Sequence, residues 1–197
     1  MPIATQVLVA LCNLCNGCPE TQDAVGRHGS CCIIDLLDAF KDSGSDSISC
    51  SGSGSSVDLL EAGCATVNNL THCDANKARL GQVGACQVLL RIMDVYSGSS
   101  SSSSSDNRTR SVVCRTLELC CRSLFSLCSN PVNKSLLLDL RADLAVQKVL
   151  ERFPSHSDLV NEARDVLLKL DLGPACACGG RATTAVSVRG REACLVC

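Results

Sequence analysis

Apolar positions recur along this chain in a pattern that outlasts any single helix. The tetrads Leu11-Cys12-Asn13-Leu14, Val67-Asn68-Asn69-Leu70, Leu124-Phe125-Ser126-Leu127 and Leu167-Leu168-Lys169-Leu170 hold equivalent places. Each of the first three is followed, after a polar turn, by a second apolar stretch with columns of its own. Val25, Leu80 and Leu137 form one column, Ile34, Leu89 and Val146 another, and Leu37, Ile92 and Val149 a third. Within a copy the spacing is helical: Cys64, Val67 and Leu70 fall at i, i+3 and i+6, and Val88, Leu89, Ile92 and Met93 share the buried side of a later helix. In the second copy Val57 to Leu60 open a short helix that stops near Gly63, residues 71–76 turn, and Gly84 breaks the chain before the last helix. The third copy repeats this with Asn133-Lys134 in place of Asn76-Lys77, and departs at Arg141, which stands where the other copies have Gly29 and Gly84. The columns predict helices near 6–15, 30–40, 59–71, 85–95, 112–127, 142–153 and 158–170, with the first copy starting at its second helix.

The interval from Leu14 to Leu70 is 56 positions, from Leu70 to Leu127 it is 57, and from Leu127 to Leu170 it is 43. The two long intervals contain Ser/Gly-rich stretches, Asp42 to Ser56 and Ser97 to Asn107, whereas the third has only Pro154-Ser155-His156-Ser157. Without those stretches the period falls to about 42 residues, the range of stacked-helix arrays. The stretches read as flexible loop insertions at one equivalent point, because they carry too little apolar surface to bury. A unit of this size cannot cover its own apolar face and needs a neighbour. The chain therefore reads as one elongated helical body over 3–172, followed by a Cys- and Gly-containing flexible tail over 173–197.

Composition narrows the class. With three Phe, one Tyr and no Trp, the core must be built from Leu, Val, Ile, Ala and Cys, which suits close helix packing. A net charge of −2 from mixed signs gives no field for nucleic acid or an anionic membrane. No apolar run approaches a membrane span. Seventeen cysteines would form a disulfide framework in a secreted chain. Here Met1 to Cys15 lacks a basic leader, and cysteines such as Cys64 and Cys121 fall in the column of Leu8, where free thiols act as small hydrophobes. A reducing, cytoplasmic compartment is expected, with the nucleus not excluded, and the sequons at Asn69, Asn107 and Asn133 then carry no glycan.

Residues Ala62 to Met93 resemble the armadillo repeat, with an Asn-Leu closing one helix and a Gly-Ala opening the next. Leu11 to Leu37 is a fainter match and Val113 to Phe153 a divergent one. The resemblance implies an all-α, armadillo-like superhelix of about three repeats plus a partial fourth. It also implies a non-catalytic scaffold that holds a partner protein or extended peptide along a groove lined by the third helices. On those helices stand Asp35 and Asp38, then Gln87, Arg91 and Asp94, then Gln147, Lys148 and Glu151. Arg91 aligns with Lys148 and Asp94 with Glu151, so they either form rows that select a charged peptide or act as i,i+3 surface pairs. The alternative is a module of a larger helical scaffold.

Candidate chemistry is sparse. His28, His72 and His156 are scattered without a carboxylate at a motif spacing, and no Ser elbow, phosphate loop or dinucleotide fingerprint is present outside the Ser-rich inserts. Neither an enzyme nor a cofactor is expected. Asn68 and Asn69 read as side chains that satisfy backbone groups at the turn. In the tail, Cys176, Cys178, Cys194 and Cys197 have three readings: a four-thiolate zinc site, a prenylation signal at Cys194 with Arg181, Arg189 and Arg191 upstream, or chance spacing in a disordered segment. The chance reading is preferred, so no metal is expected, and membrane association only if Cys194 is lipidated.

Overall fold

The computed structural model describes residues 3–40, 55–98, 107–170, 185–188 and 191–194. Its body is helical: α1 (Ile3–Cys15), α2 (Pro19–Phe40), α3 (Ser55–Leu70), α4 (Asp74–Gln82), α5 (Ala85–Gly98), α6 (Asn107–Leu127), α7 (Pro131–Asp139), α8 (Ala142–Arg152) and α9 (Ser157–Lys169). A two-stranded antiparallel ribbon, β1 (Ala185–Val188) and β2 (Arg191–Cys194), lies in the tail that the sequence reading treats as flexible. The rest of the tail lies outside the described residues, as do most of the two Ser-rich stretches. At their edges, α3 begins within the first stretch at Ser55, α5 runs into the second through Gly98, and Asn107 already opens α6.

The helices stack in rows. In the first row α1 packs on α3, α3 on α6 and α6 on α9. The second half of α2, then α5 and α8 make a second row, and α4 packs against both α2 and α7. Cys64, Val67 and Leu70 on α3 and Cys121, Leu124 and Leu127 on α6 are fully buried. Ile34, Leu89 and Val146 are buried in the second row, as are Leu37, Ile92 and Val149. Leu14 departs from its column: it is 60% exposed, and Cys15 next to it is buried instead. α1 packs on α3 and, less extensively, on α2, and Leu14 lies on the face that neither covers.

Two boundaries differ from the sequence expectation. The chain does not break at Gly63; α3 runs through it, because a Cβ there would stand 2.5 Å from Leu37 Cδ2, so the bare backbone lets α2 and α3 approach. The turn expected over 71–76 ends at Cys73, where a separate helix, α4, begins at Asp74; its counterpart α7 is capped by Asn130, whose side chain accepts from the backbone N–H of Val132 and Asn133 ahead of Pro131. The column of Gly29, Gly84 and Arg141 decides where a helix ends. Gly84 at φ 88° and Arg141 at φ 55° turn left-handed and separate α4 from α5 and α7 from α8. Gly29 stays helical, so α2 is one continuous helix of 22 residues.

Polar side chains lock the rows together. Asn76 on α4 donates from Nδ2 to the Gln22 carbonyl of α2 at 2.7 Å, and Asn133 on α7 donates to the Lys77 carbonyl of α4 at 2.7 Å. Both side chains are buried, and each lies directly against a glycine one turn along the preceding helix, Gly26 or Gly81. In the first row Thr66 shares its hydroxyl proton between the Ala62 carbonyl of its own helix at 2.8 Å and the Leu8 carbonyl of α1 at 3.1 Å, and Asn69 donates to the Cys12 carbonyl at 2.9 Å. Asn69 thus satisfies the neighbouring helix and not its own turn.

Candidate interaction surface

The charged register of α5 and α8 is assembled across helices. Arg91 Nη1 meets Asp38 Oδ1 of α2 at 2.9 Å, and Lys148 Nζ meets Asp94 Oδ1 of α5 at 2.7 Å. All four side chains are about half-exposed. The i,i+3 pairing of Arg91 with Asp94 is not the one formed; each base instead reaches back to the acid of the preceding helix. Gln87 and Gln147 are half-buried on the same two helices, and the Gln87 Oε1 atom is shielded without a hydrogen-bond partner. Glu151 is exposed, one turn beyond Lys148. The structure therefore gathers Arg91, Asp94 and Lys148 into one line with Asp38, a partner that alignment within a helix could not reveal. The signal was present in the offsets of 53 and 54 residues, close to the repeat interval.

A second open surface lies between α1, α3 and the start of α6. A cavity of about 400 Å³ is walled by Val9, Cys12 and Ala65, with Asp58, Glu61 and Arg108 among its polar lining. Partial burial pushes the Glu61 carboxyl above the usual carboxylate range; nearby Asp58 adds to the rise and Arg115 opposes it. Further along this row, Arg115 bonds Glu118 at 3.1 Å, His156 Nδ1 stands 3.6 Å from the same carboxylate, and Arg122 bonds Glu162 at 2.7 Å. Lys169 sits 5.2 Å above the Phe125 ring. Arg115 and Glu118 are an i,i+3 pair on α6, whereas the other pairs join α6 to residues about 40 positions away, which is why spacing alone leaves His156 isolated.

Most of the described thiols are interior. Burial raises Cys86 and Cys121 to about 12 and Cys128 to about 11, so none carries a thiolate at neutral pH. Among the described residues no group of three or more His, Cys, Asp or Glu is placed to hold a metal ion. Cys176, Cys178 and Cys197 lie outside the described residues, and for Cys194 only the backbone, in β2, is described. Among the described residues no helix is long and apolar enough to cross a membrane. No protein-family model and no curated protein matches the chain.

Proposed function

We propose that the chain is a non-catalytic scaffold that holds a partner protein or extended peptide on an armadillo-like superhelix. The observation that carries this reading is the line of half-exposed charges shared by α2, α5 and α8. Each rung is worth less than about 1 kcal/mol in water, so a partner's charges can exchange for it at little cost. Gln87, Arg91, Asp94, Gln147, Lys148 and Glu151 form the proposed contact set. The free thiols of the described cysteines fit a reducing, cytoplasmic setting. The test is cross-linking mass spectrometry on the chain with proteins recovered from cytosol. Cross-links to a single partner concentrated around Lys148 support the reading, and a partner cross-linked only to other faces removes this surface.

The cavity beside Glu61 favours a second location for the same function. A carboxylate held partly out of water gains most from a cation that brings its own apolar stem, as a lysine side chain does. Glu61→Gln then weakens partner binding while Arg91→Glu leaves it unchanged, the reverse of the first location.

A further inference from the structure

Cys64 on α3 and Cys120 on α6 face each other across the first helix row, Sγ to Sγ 3.7 Å, and both residues are fully buried. We propose that this pair is an oxidation site, at which a small peroxide converts the two thiols into a disulfide that staples α3 to α6. The partners stand 56 residues apart in sequence, so the bond would close a loop that contains α4, α5 and the second Ser-rich stretch.

The chemistry balances with peroxide as the oxidant. One sulfur, as thiolate, attacks a peroxide oxygen; an S–O bond forms, the O–O bond breaks, and the departing hydroxide takes up the released thiol proton as water. The second sulfur then attacks the sulfenic sulfur; the S–S bond forms, the S–O bond breaks, and the second thiol proton leaves with the hydroxyl as a second water. The two thiols together lose two electrons and the peroxide gains them. Water-sized peroxide suits an interior site that a bulkier disulfide reagent could not enter. The shared S–H bond to Cys64 and burial both hold the Cys120 thiol protonated, so reaction proceeds only when α3 and α6 transiently part. Once formed, the bond is shielded from reductants by the same packing.

The test uses the full chain. Exposed thiols such as Cys31 and Cys32 are first capped with N-ethylmaleimide under native conditions, and hydrogen peroxide is then added in urea just below the unfolding transition. The protein is next unfolded, treated with a second alkylating label, digested and mapped. The expected result is a Cys64 peptide joined to a Cys120 peptide, with loss of the second label at both and recovery of both on reduction. The oxidised chain should melt about 5–10 °C higher than the reduced one. Cys64→Ala and Cys120→Ala should each abolish the cross-link in chains that circular dichroism shows to be folded. If either fails to fold, the wild-type map decides alone. Full second labelling of both thiols, a cross-link to other cysteines, or sulfinic acid at either position overturns the proposal.

Discussion

The contact between Gly26 and Asn76 makes a sharp energetic prediction. Asn76 Nδ2 donates to the Gln22 carbonyl at 2.7 Å, and Asn76 Oδ1 accepts from Arg79 Nη1 at 2.8 Å. Replacing Asn76 with Ala removes both bonds at a fully buried position, at about 1 kcal/mol each, for a loss of roughly 2 kcal/mol. A methyl at Gly26 would land on the Asn76 carboxamide, so Gly26→Ala must displace that side chain and forfeit the same bonds. The gain in helix propensity, about 1 kcal/mol, offsets only part of this, and a net loss of about 1 kcal/mol or more follows. In the Asn76→Ala background the methyl enters vacated space, and Gly26→Ala turns stabilising by up to about 1 kcal/mol. The sign change corresponds to a coupling of roughly 2 kcal/mol, measurable by urea unfolding of the four chains followed by far-UV circular dichroism. The Gly81–Asn133 pair supplies a weaker second case, since the bond at stake there is the one from Asn133 Nδ2 to the Lys77 carbonyl. Additivity within about 0.5 kcal/mol, or a stabilising Gly26→Ala in the wild-type background, refutes the interlock.

Three further outcomes follow from the same structure. Gly84→Ala should cost about 1–2 kcal/mol because Gly84 is left-handed, whereas Gly29→Ala in the same sequence column should stabilise by up to about 1 kcal/mol, since α2 is continuous there; chemical denaturation separates the two signs. Reversing Arg91 and Lys148 to Glu should shift the melting temperature only slightly and less still in high salt, since both rungs are half-exposed; a collapse in stability would show that they are structural. Glu61 holds its proton more tightly in the folded chain than in the unfolded one, so its ionisation withdraws stability as pH rises from the ordinary carboxylate range through the raised folded value. Glu61→Gln should therefore be more stable than wild type at neutral pH, with the difference gone below about pH 4; equal midpoints at neutral pH contradict that assignment.

Much of the helical body was legible because apolar periodicity reports burial directly. The columns through Ile34, Leu89 and Val146 and through Leu37, Ile92 and Val149 are interior throughout. Asn76 and Asn133 were visible as a recurring pair, but their role was not: it depends on Gly26 and Gly81 in the preceding helix, and glycine read locally signals a break. Gly63 misled for the same reason, being helical where a close neighbour needs its missing side chain. Helices α4 and α7 were obscured because each is short and buries little more than one Leu and one Asn, too few positions to establish a period. On the candidate surface the charged residues were identifiable, yet their partners were not, because the pairs close across helices and not along one. The cavity beside Glu61 required three helices to converge, which no single stretch of sequence expresses.

Partner binding through the charged line of α5 and α8, as proposed, depends on Arg91 and Lys148. The most direct measurement is a calorimetric titration of a recovered partner into wild-type chain and into the Arg91→Glu, Lys148→Glu double variant. The variant should bind at least about tenfold more weakly, a loss of roughly 1.4 kcal/mol, with a melting temperature shifted only slightly. Equal affinity in both chains, with both folded, contradicts it.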